Sequence, residues 1–417
     1  MPGMMEDRSV PRVLFCTIVI FFILWISLIP QSIHDRCSFY SKFFITALFL
    51  IWLIYKKDVA FLFYRENIFL WLFLGWQIFS VLFAHDRQAA WQRYADFVMP
   101  FGVLYFVFKE ELNPAKARFI LFALFFSAIA VSAIGILEFV FNKSIVYEHF
   151  IKNAFYARYI HEARIMSTMM SPVISGTYLM SCLPASYYVI GALNGRIKRL
   201  FAVSGMVIII TGLILTFTRT SWLAALIVTI LYVLRKNIRL FLILIFSCFL
   251  IYSSLAVAVK IRPVLADRVN YKHFINYLLE GHRLKRYPVT FKMAKDHPIS
   301  GVGLNNYRIV FDGYYGRKDE PFEFKIPDNM YLMIIGESGV VGFGLFVMLI
   351  FFILKKVIRD LRRNEDQHEQ LRLAFFLMLI GLLIHMVSYE LFYWVTPFFL
   401  FLLSLGAVSG NLGYKNN

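Results

Sequence analysis

Long apolar runs fill most of this 417-residue chain, and one polar interval, residues 259–328, interrupts them. Runs such as 13–30, 200–218 and 240–259 carry no charged residue over about eighteen to twenty positions, the length that crosses roughly 30 Å of hydrocarbon as a helix. Their apolar positions are continuous rather than alternating. In lipid each backbone amide must be satisfied within its own segment or within a closed barrel, so continuous runs predict helices. Twelve spans are expected, near 13–30, 40–55, 68–84, 94–108, 118–141, 172–193, 200–218, 221–234, 240–258, 329–354, 373–389 and 393–410. The fold class is therefore all-α, a polytopic integral membrane protein with one large loop domain on the outer side. The first run is too long for a secretory signal and no small-x-small cleavage site follows it, so it reads as a membrane anchor.

Basic residues orient the spans. With the N-terminus in the cytoplasm, the connections at 55–67, 109–118, 194–199, 235–239 and 355–372, together with both tails, hold 21 of the 43 Lys and Arg, whereas the short connections opposite hold five. Both termini are then expected inside, and the segments 142–171 and 259–328 outside. The chain divides into 1–258, with nine spans and the outer loop at 142–171; 259–328, the loop domain; and 329–417, with three spans and a cytoplasmic tail.

Composition supports this class and excludes others. Apolar residues make up 59% and aromatics 18% of the chain, and a mean hydropathy of +0.65 overrides the two or three soluble domains that its length alone would suggest. The net charge of +17 has two parts. Cytoplasmic Lys and Arg set topology and meet anionic membrane lipids. The loop domain carries thirteen Lys and Arg against eight Asp and Glu, and on the outer face of a membrane that excess suits an anionic lipid or a phosphorylated substrate rather than nucleic acid. Cys16, Cys182 and Cys248 lie in spans and Cys37 near a loop, a distribution with neither a disulfide framework nor zinc spacing. No phosphate-loop, dinucleotide or zinc-protease fingerprint is present, and no cofactor or metal is expected.

Three stretches carry candidate chemistry. In TFTRTSW, Arg219 sits at a span end among Thr218, Thr220 and Ser221. It is either a helix-end arginine snorkelling to the interface or a ligand for phosphate or sugar oxygens. In GHRLKRYPVTFKMAKDHPISGVGLNNY, Arg283 and Arg286 share a helix face, and Tyr287, Phe291 and Ala294 form an apolar stripe suited to the membrane interface. Pro298, Gly301 and Gly303 signal a tight reversal, after which Asn305 is a candidate cap, with His297 a structural hydrogen-bonder. In PDNMYLMIIGESGVVGFG, Asp328 opens the tenth span as helix cap or as functional carboxylate, with Asn329 beside it. Glu337 follows roughly 13 Å deeper in the helix, a substrate ligand or a partner for an arginine such as Arg219. Gly336, Gly339 and Gly342 read as a tight packing face. Arg164, Arg158, His161, Glu138, His385 and Glu390 are lesser candidates, Arg164 foremost among them.

These patterns resemble the superfamily of O-antigen ligases and O-antigen polymerases, glycosyltransferases of the bacterial envelope. The resemblance rests on TFTRTSW, on Arg283 standing fourteen residues before the HP-x-x-GVG of His297 to Gly303, and on NMYL-x-x-x-GE-x-G, and it covers residues 160–345. It implies metal-independent transfer of a glycan from a polyprenyl (undecaprenyl) diphosphate carrier to an acceptor hydroxyl, with inversion, in lipopolysaccharide or exopolysaccharide assembly. It further implies a multi-pass protein of the inner membrane, with a periplasmic loop domain and a periplasmic site. Arg219 and Arg283 match the arginines expected to hold the diphosphate, where guanidinium forks suit phosphate oxygens and the charge that develops on them. Asp328 would address the acceptor, with Arg164, Arg286, Tyr287, Asn329 and Glu337 binding substrate. Ligases of this group have a histidine before the Asn of the NMYL-like motif, and this chain has Asp328. That departure favours a polymerase that extends a carrier-linked repeat. The alternatives are a ligase joining finished chains to a lipid A-core acceptor, and a non-enzymatic transporter of lipid-linked glycan. A chain-length regulator is a further candidate partner.

Overall fold

The computed structural model describes residues 9–29, 60–144, 164–169, 171–236, 282–316, 324–362 and 368–410, with residues 52, 56, 148, 162, 253, 257 and 260. Among these residues every regular element is helical. In chain order they are α1 (Ser9–Leu28), α2 (Ile68–Leu82), α3 (Arg87–Arg93), a π-helical turn (Tyr94–Val98), α4 (Met99–Glu111), α5 (Pro114–Phe141), α6 (Pro172–Ala192), α7 (Arg196–Leu215) and α8 (Arg219–Lys236). After these come α9 (His282–Asp296), α10 (Tyr307–Tyr315), α11 (Met330–Arg362), α12 (Glu369–His385) and α13 (Val395–Ser409). Short 3-10 turns cover Ala60–Phe63, Arg65–Asn67 and Leu391–Tyr393. Apart from residues 52, 253 and 257, the expected spans at 40–55 and 240–258 lie outside the described residues, as do most of 142–163 and the stretches 261–281 and 317–323.

Local chemistry starts the helices where the polar signals stand. The Asn113 side chain accepts from the amide of Lys116 ahead of Pro114, and Ser171 Oγ accepts from the amide of Val173 ahead of Pro172. Each cap satisfies an orphan amide, and each proline occupies a first-turn position where its missing N–H costs nothing. Helices α5, α6, α7 and α11 are long and apolar enough to cross a membrane. Helix α6 is the axis of the bundle, with 89% of its most apolar window buried and α5, α7, α8 and α12 packed around it. Helix α11 turns its apolar side chains outward instead, at Val347, Met348, Phe351 and Phe352, as a helix facing lipid does.

One element departs from its sequence pattern. The apolar run 329–354 predicts an unbroken helix, but Gly339 has φ 70° and ψ −178° and divides α11 into two helical pieces. A break of this kind frees carbonyls and amides that lipid cannot satisfy. The Gly-rich turn after α9 satisfies them: Val302 N donates to Gly336 O at 2.9 Å, Gly303 N to Glu337 O at 3.1 Å, and Val340 N donates to Pro298 O at 2.9 Å. From α2, Trp76 Nε1 donates to Ser338 O at 2.8 Å and Ser80 Oγ to Glu337 O at 2.9 Å. Gly339 is therefore more than a packing residue.

Candidate functional site

Glu337 sits just before the break, 3% exposed. Tyr393 OH donates to its two carboxylate oxygens at 2.7 and 2.9 Å. The backbone amides of Asn305 and Tyr307 hydrogen-bond the same carboxylate, and the nearby charge is that of Arg93. Arg93 lies 3.9 Å above the Tyr393 ring and donates to Phe392 O at 2.9 Å. The sequence offered Arg219 as the partner of Glu337; the structure supplies Arg93, on the helix that follows α2. This knot fastens the turn between α12 and α13 to the break in α11, and such a buried acid is tolerable because donors surround it.

The Thr-rich span end forms a second turn. Phe217 takes a left-handed backbone at φ 51°, Thr216 Oγ1 accepts from Thr218 N at 3.2 Å, and Thr218 Oγ1 donates to Pro172 O at 2.9 Å. Arg164 is fixed here, Nε donating to Thr216 O at 3.1 Å. Glu138 accepts from the amides of Met166 and Ser167, at 3.0 and 2.7 Å, and so holds the stretch that follows Arg164. Arg219, half-buried, opens α8 from this turn. Two residues on, Ser221 Oγ lies 2.9 Å from His385 Nε2, and Thr177 Oγ1 lies 3.3 Å from the same ring.

Asp328 stands near the turn that follows α12, where its charge acts on Glu390. It has φ 48°, a conformation uncommon for a residue other than glycine. Helix α11 does not use it as a cap: Asn329 Oδ1 accepts from Leu332 N at 3.1 Å and takes that part. Met330 N donates to Met386 O at 2.8 Å, which seats the Asp328 segment on the end of α12. Arg286, 3% exposed, reaches Asp328 Oδ2 at 3.4 Å and Ile326 O at 3.2 Å. Helix α9 thus buries Arg286, Val289, Thr290 and Met293, while Phe291 of the expected stripe stays 59% exposed. Pro288 lies inside this helix. Glu390 completes the cluster, 2% exposed, with Asp328 and Arg308 as its charged neighbours. Burial first and the Asp328 carboxylate second push its pKa up to about 7.

Arg164 and Arg219 therefore share one turn, Arg286, Asp328 and Asn329 share another, and residues 385–390 bridge the two. Tyr287 lies half-buried beside Arg286. Arg283 falls in the first turn of α9, and its side chain lies outside the described residues, as do Arg158 and His161. Asn305 has φ 60° and stands one residue too early to cap α10, whose preceding residue is Asn306. Asn306 instead clasps the loop before α3, Nδ2 donating to Asp86 O at 3.0 Å. His297 lines a cleft of about 460 Å³ together with Phe83, His85, Ile309 and Tyr314, beside the Gly-rich turn. Arg93, Arg308 and Tyr393 were missed from sequence. Only the charge of Arg93 at a span edge could have drawn attention, because its partner lies 300 residues away.

Taken together, the described residues form an apolar helix bundle, four of whose helices are long and apolar enough to cross a membrane, as in a membrane protein, with charged residues gathered at helix ends. Residues 204–347 match the family model described as O-antigen ligase (Wzy_C). That stretch, about a third of the chain, contains all three motifs and is similar to the O-antigen ligase family. A comparison with curated proteins finds no match.

Proposed function

We propose that the chain is an integral membrane glycosyltransferase that moves an oligosaccharide from a polyprenyl diphosphate carrier to an acceptor hydroxyl on the periplasmic face, acting as a polymerase. The family match supports a function of the O-antigen ligase/polymerase type, with a lipid-linked glycan and an acceptor as substrates. The observation that carries the finer assignment is the meeting of distant motifs. Ser221 of TFTRTSW touches His385 at 2.9 Å, and the NMYL segment touches Met386 at 2.8 Å. These contacts support a reading in which arginines and a carboxylate far apart in sequence serve one seam.

In this proposal Arg219 and Arg283 hold the diphosphate. Their donors match its oxygens and offset the charge that grows there as the glycosyl bond breaks. Arg164 and Arg286 extend the positive wall, and Arg286 also orients Asp328, which accepts the hydroxyl proton of the attacking acceptor. Tyr287 and Asn329 flank that acceptor. Glu337, its oxygens taken up by Tyr393 and backbone amides, serves the site by bracing it. The test is polymer formation in a deletion strain carrying Arg219→Ala, Arg283→Ala or Asp328→Asn at normal protein level. Loss of polymer with a single repeat left on the core is expected; full polymer from both arginine variants rejects the site. Bare core with polymer still on its carrier would make the protein a ligase.

A further inference from the structure

Helix α12 ends between the two halves of the proposed site, and its last turn is bonded to both. Gly381 and His385 stand four residues apart and so share the helix face that meets α6 and α8. A Cβ at Gly381 would fall 2.5 Å from Met180 Sδ and 3.2 Å from Val228 Cγ2, so α12 lies directly on both neighbours there. One turn on, the His385 ring is fully buried, with Ser221 Oγ of α8 2.9 Å from Nε2 and Thr177 Oγ1 of α6 3.3 Å from the ring nitrogens. Thr177 Oγ1 donates to Val173 O at 2.7 Å, so toward the ring it is an acceptor. Gly176 admits Ser221 and the Thr-rich turn to the same corner: a Cβ there would stand 2.8 Å from Ser221 Oγ and 3.0 Å from Thr218 Cβ. The backbone on either side of His385 holds the other half. Leu383 O accepts from Tyr331 OH at 2.7 Å, and Met386 O accepts from Met330 N at 2.8 Å.

We infer that His385 is a positioning residue of the transfer reaction: through Ser221 it sets the distance from Arg219, at the head of α8, to Asp328, at the entry of α11. The inference rests on the transferase proposal above. With its side chain wholly buried, His385 does not reach the substrate and acts through its neighbours. Ser221 is two residues from Arg219 in the first turn of α8, and Met330 is two residues from Asp328, so a shift of α12 at His385 moves one group relative to the other. Arg164 stays with Arg219 on the Thr-rich turn, Nε donating to Thr216 O at 3.1 Å, so the carrier keeps its hold there. What is lost is the alignment of the acceptor oxygen with the anomeric carbon, where a displacement of about 1 Å costs on the order of 100-fold in rate.

The experiment uses the full chain purified in lipid nanodiscs and takes two readings. One is release of free polyprenyl diphosphate from a polyprenyl-diphosphate-linked repeat unit over a range of concentrations; the other is equilibrium binding of sugar-free polyprenyl diphosphate. His385→Leu is expected to lower kcat on the order of 100-fold while binding weakens by less than about threefold. His385→Gln, whose amide can meet Ser221 where the imidazole does, should recover at least about a tenth of the wild-type kcat. A role in packing alone would lower the unfolding temperature and leave the kcat of the folded protein unchanged. Because His385 acts through Ser221, His385→Leu combined with Ser221→Ala should be no slower than His385→Leu alone. Wild-type kcat in folded His385→Leu overturns the inference. So does a loss of polyprenyl diphosphate binding that matches the loss of kcat, and so does a double variant whose losses multiply. Should His385→Leu fail to fold, Ser221→Ala carries the same split between kcat and binding, and an unchanged kcat there overturns the inference equally. Folded wild type that releases no polyprenyl diphosphate removes the transferase proposal and this inference with it, whereas an active wild type with unaffected variants removes this inference alone.

Discussion

Replacing Gly339 by alanine tests how the fold builds its site. Gly339 occupies a backbone region that is essentially confined to glycine, at φ 70° and ψ −178°, and a side chain there costs roughly 1–3 kcal/mol in conformational strain. An added Cβ would also fall on the Ile299 carbonyl, with the Pro298 carbonyl just beyond. The Gly-rich turn must then withdraw, and the backbone bonds Val302–Gly336, Gly303–Glu337 and Val340–Pro298 are lost or lengthened. At about 1 kcal/mol each these bonds raise the expected destabilisation to roughly 4–6 kcal/mol. The assay is thermal unfolding of the detergent-purified protein followed by tryptophan fluorescence, with Gly313→Ala as control, because a Cβ at Gly313 meets nothing within 4 Å. Gly339→Ala should melt well below wild type and below the control. Equal melting of the two variants would mean that α11 runs straight at no cost, and the break would then have no part in holding Glu337.

Asn329→Ala removes the α11 cap and should lower stability by about 1 kcal/mol, read as an unfolding midpoint, with Asp328 left in place. Tyr393→Phe strips the carboxylate of Glu337 of its hydroxyl donor, and a loss of roughly 2 kcal/mol in unfolding free energy is expected. The raised pKa of Glu390 favours its protonated form in the fold, so this contribution is fully present below the ordinary carboxylate range and fades as pH rises through about 7. Unfolding temperature should therefore fall between mildly acidic and mildly alkaline buffer, and Glu390→Gln should flatten that slope. Ser221→Ala separates α8 from His385 and should reduce polymer formation while protein level is kept, measured in the deletion strain.

Several helices were legible because apolar length is local: α5, α6 and α7 cover most of the apolar runs at 118–141, 172–193 and 200–218. The break in α11 was hidden. Gly336, Gly339 and Gly342 have the spacing of a packing face, and only the partner turn at 298–304 shows that one of them bends the chain. Asp328 was read as a possible cap because it stands first, yet the left-handed backbone at that residue passes the task to Asn329. Glu390 carried a bland interface explanation in sequence. Its meaning depends on Asp328, 62 positions earlier, whose charge reaches it only when the end of α12 is folded against the start of α11. Arg93 illustrates the same limit, since a basic residue near a span edge looks like an interfacial anchor until Tyr393 and Glu337 are brought beneath it.

The central claim is that this seam of arginines and acids transfers a carrier-linked glycan. Its most direct test mixes purified wild-type protein with a polyprenyl-diphosphate-linked oligosaccharide as the sole substrate and measures free polyprenyl diphosphate together with glycan length. Release of the diphosphate in step with chain extension, abolished by Arg219→Ala and by Arg283→Ala, is the expected result. Folded wild-type protein that binds the carrier and leaves both carrier and glycan unchanged would contradict it.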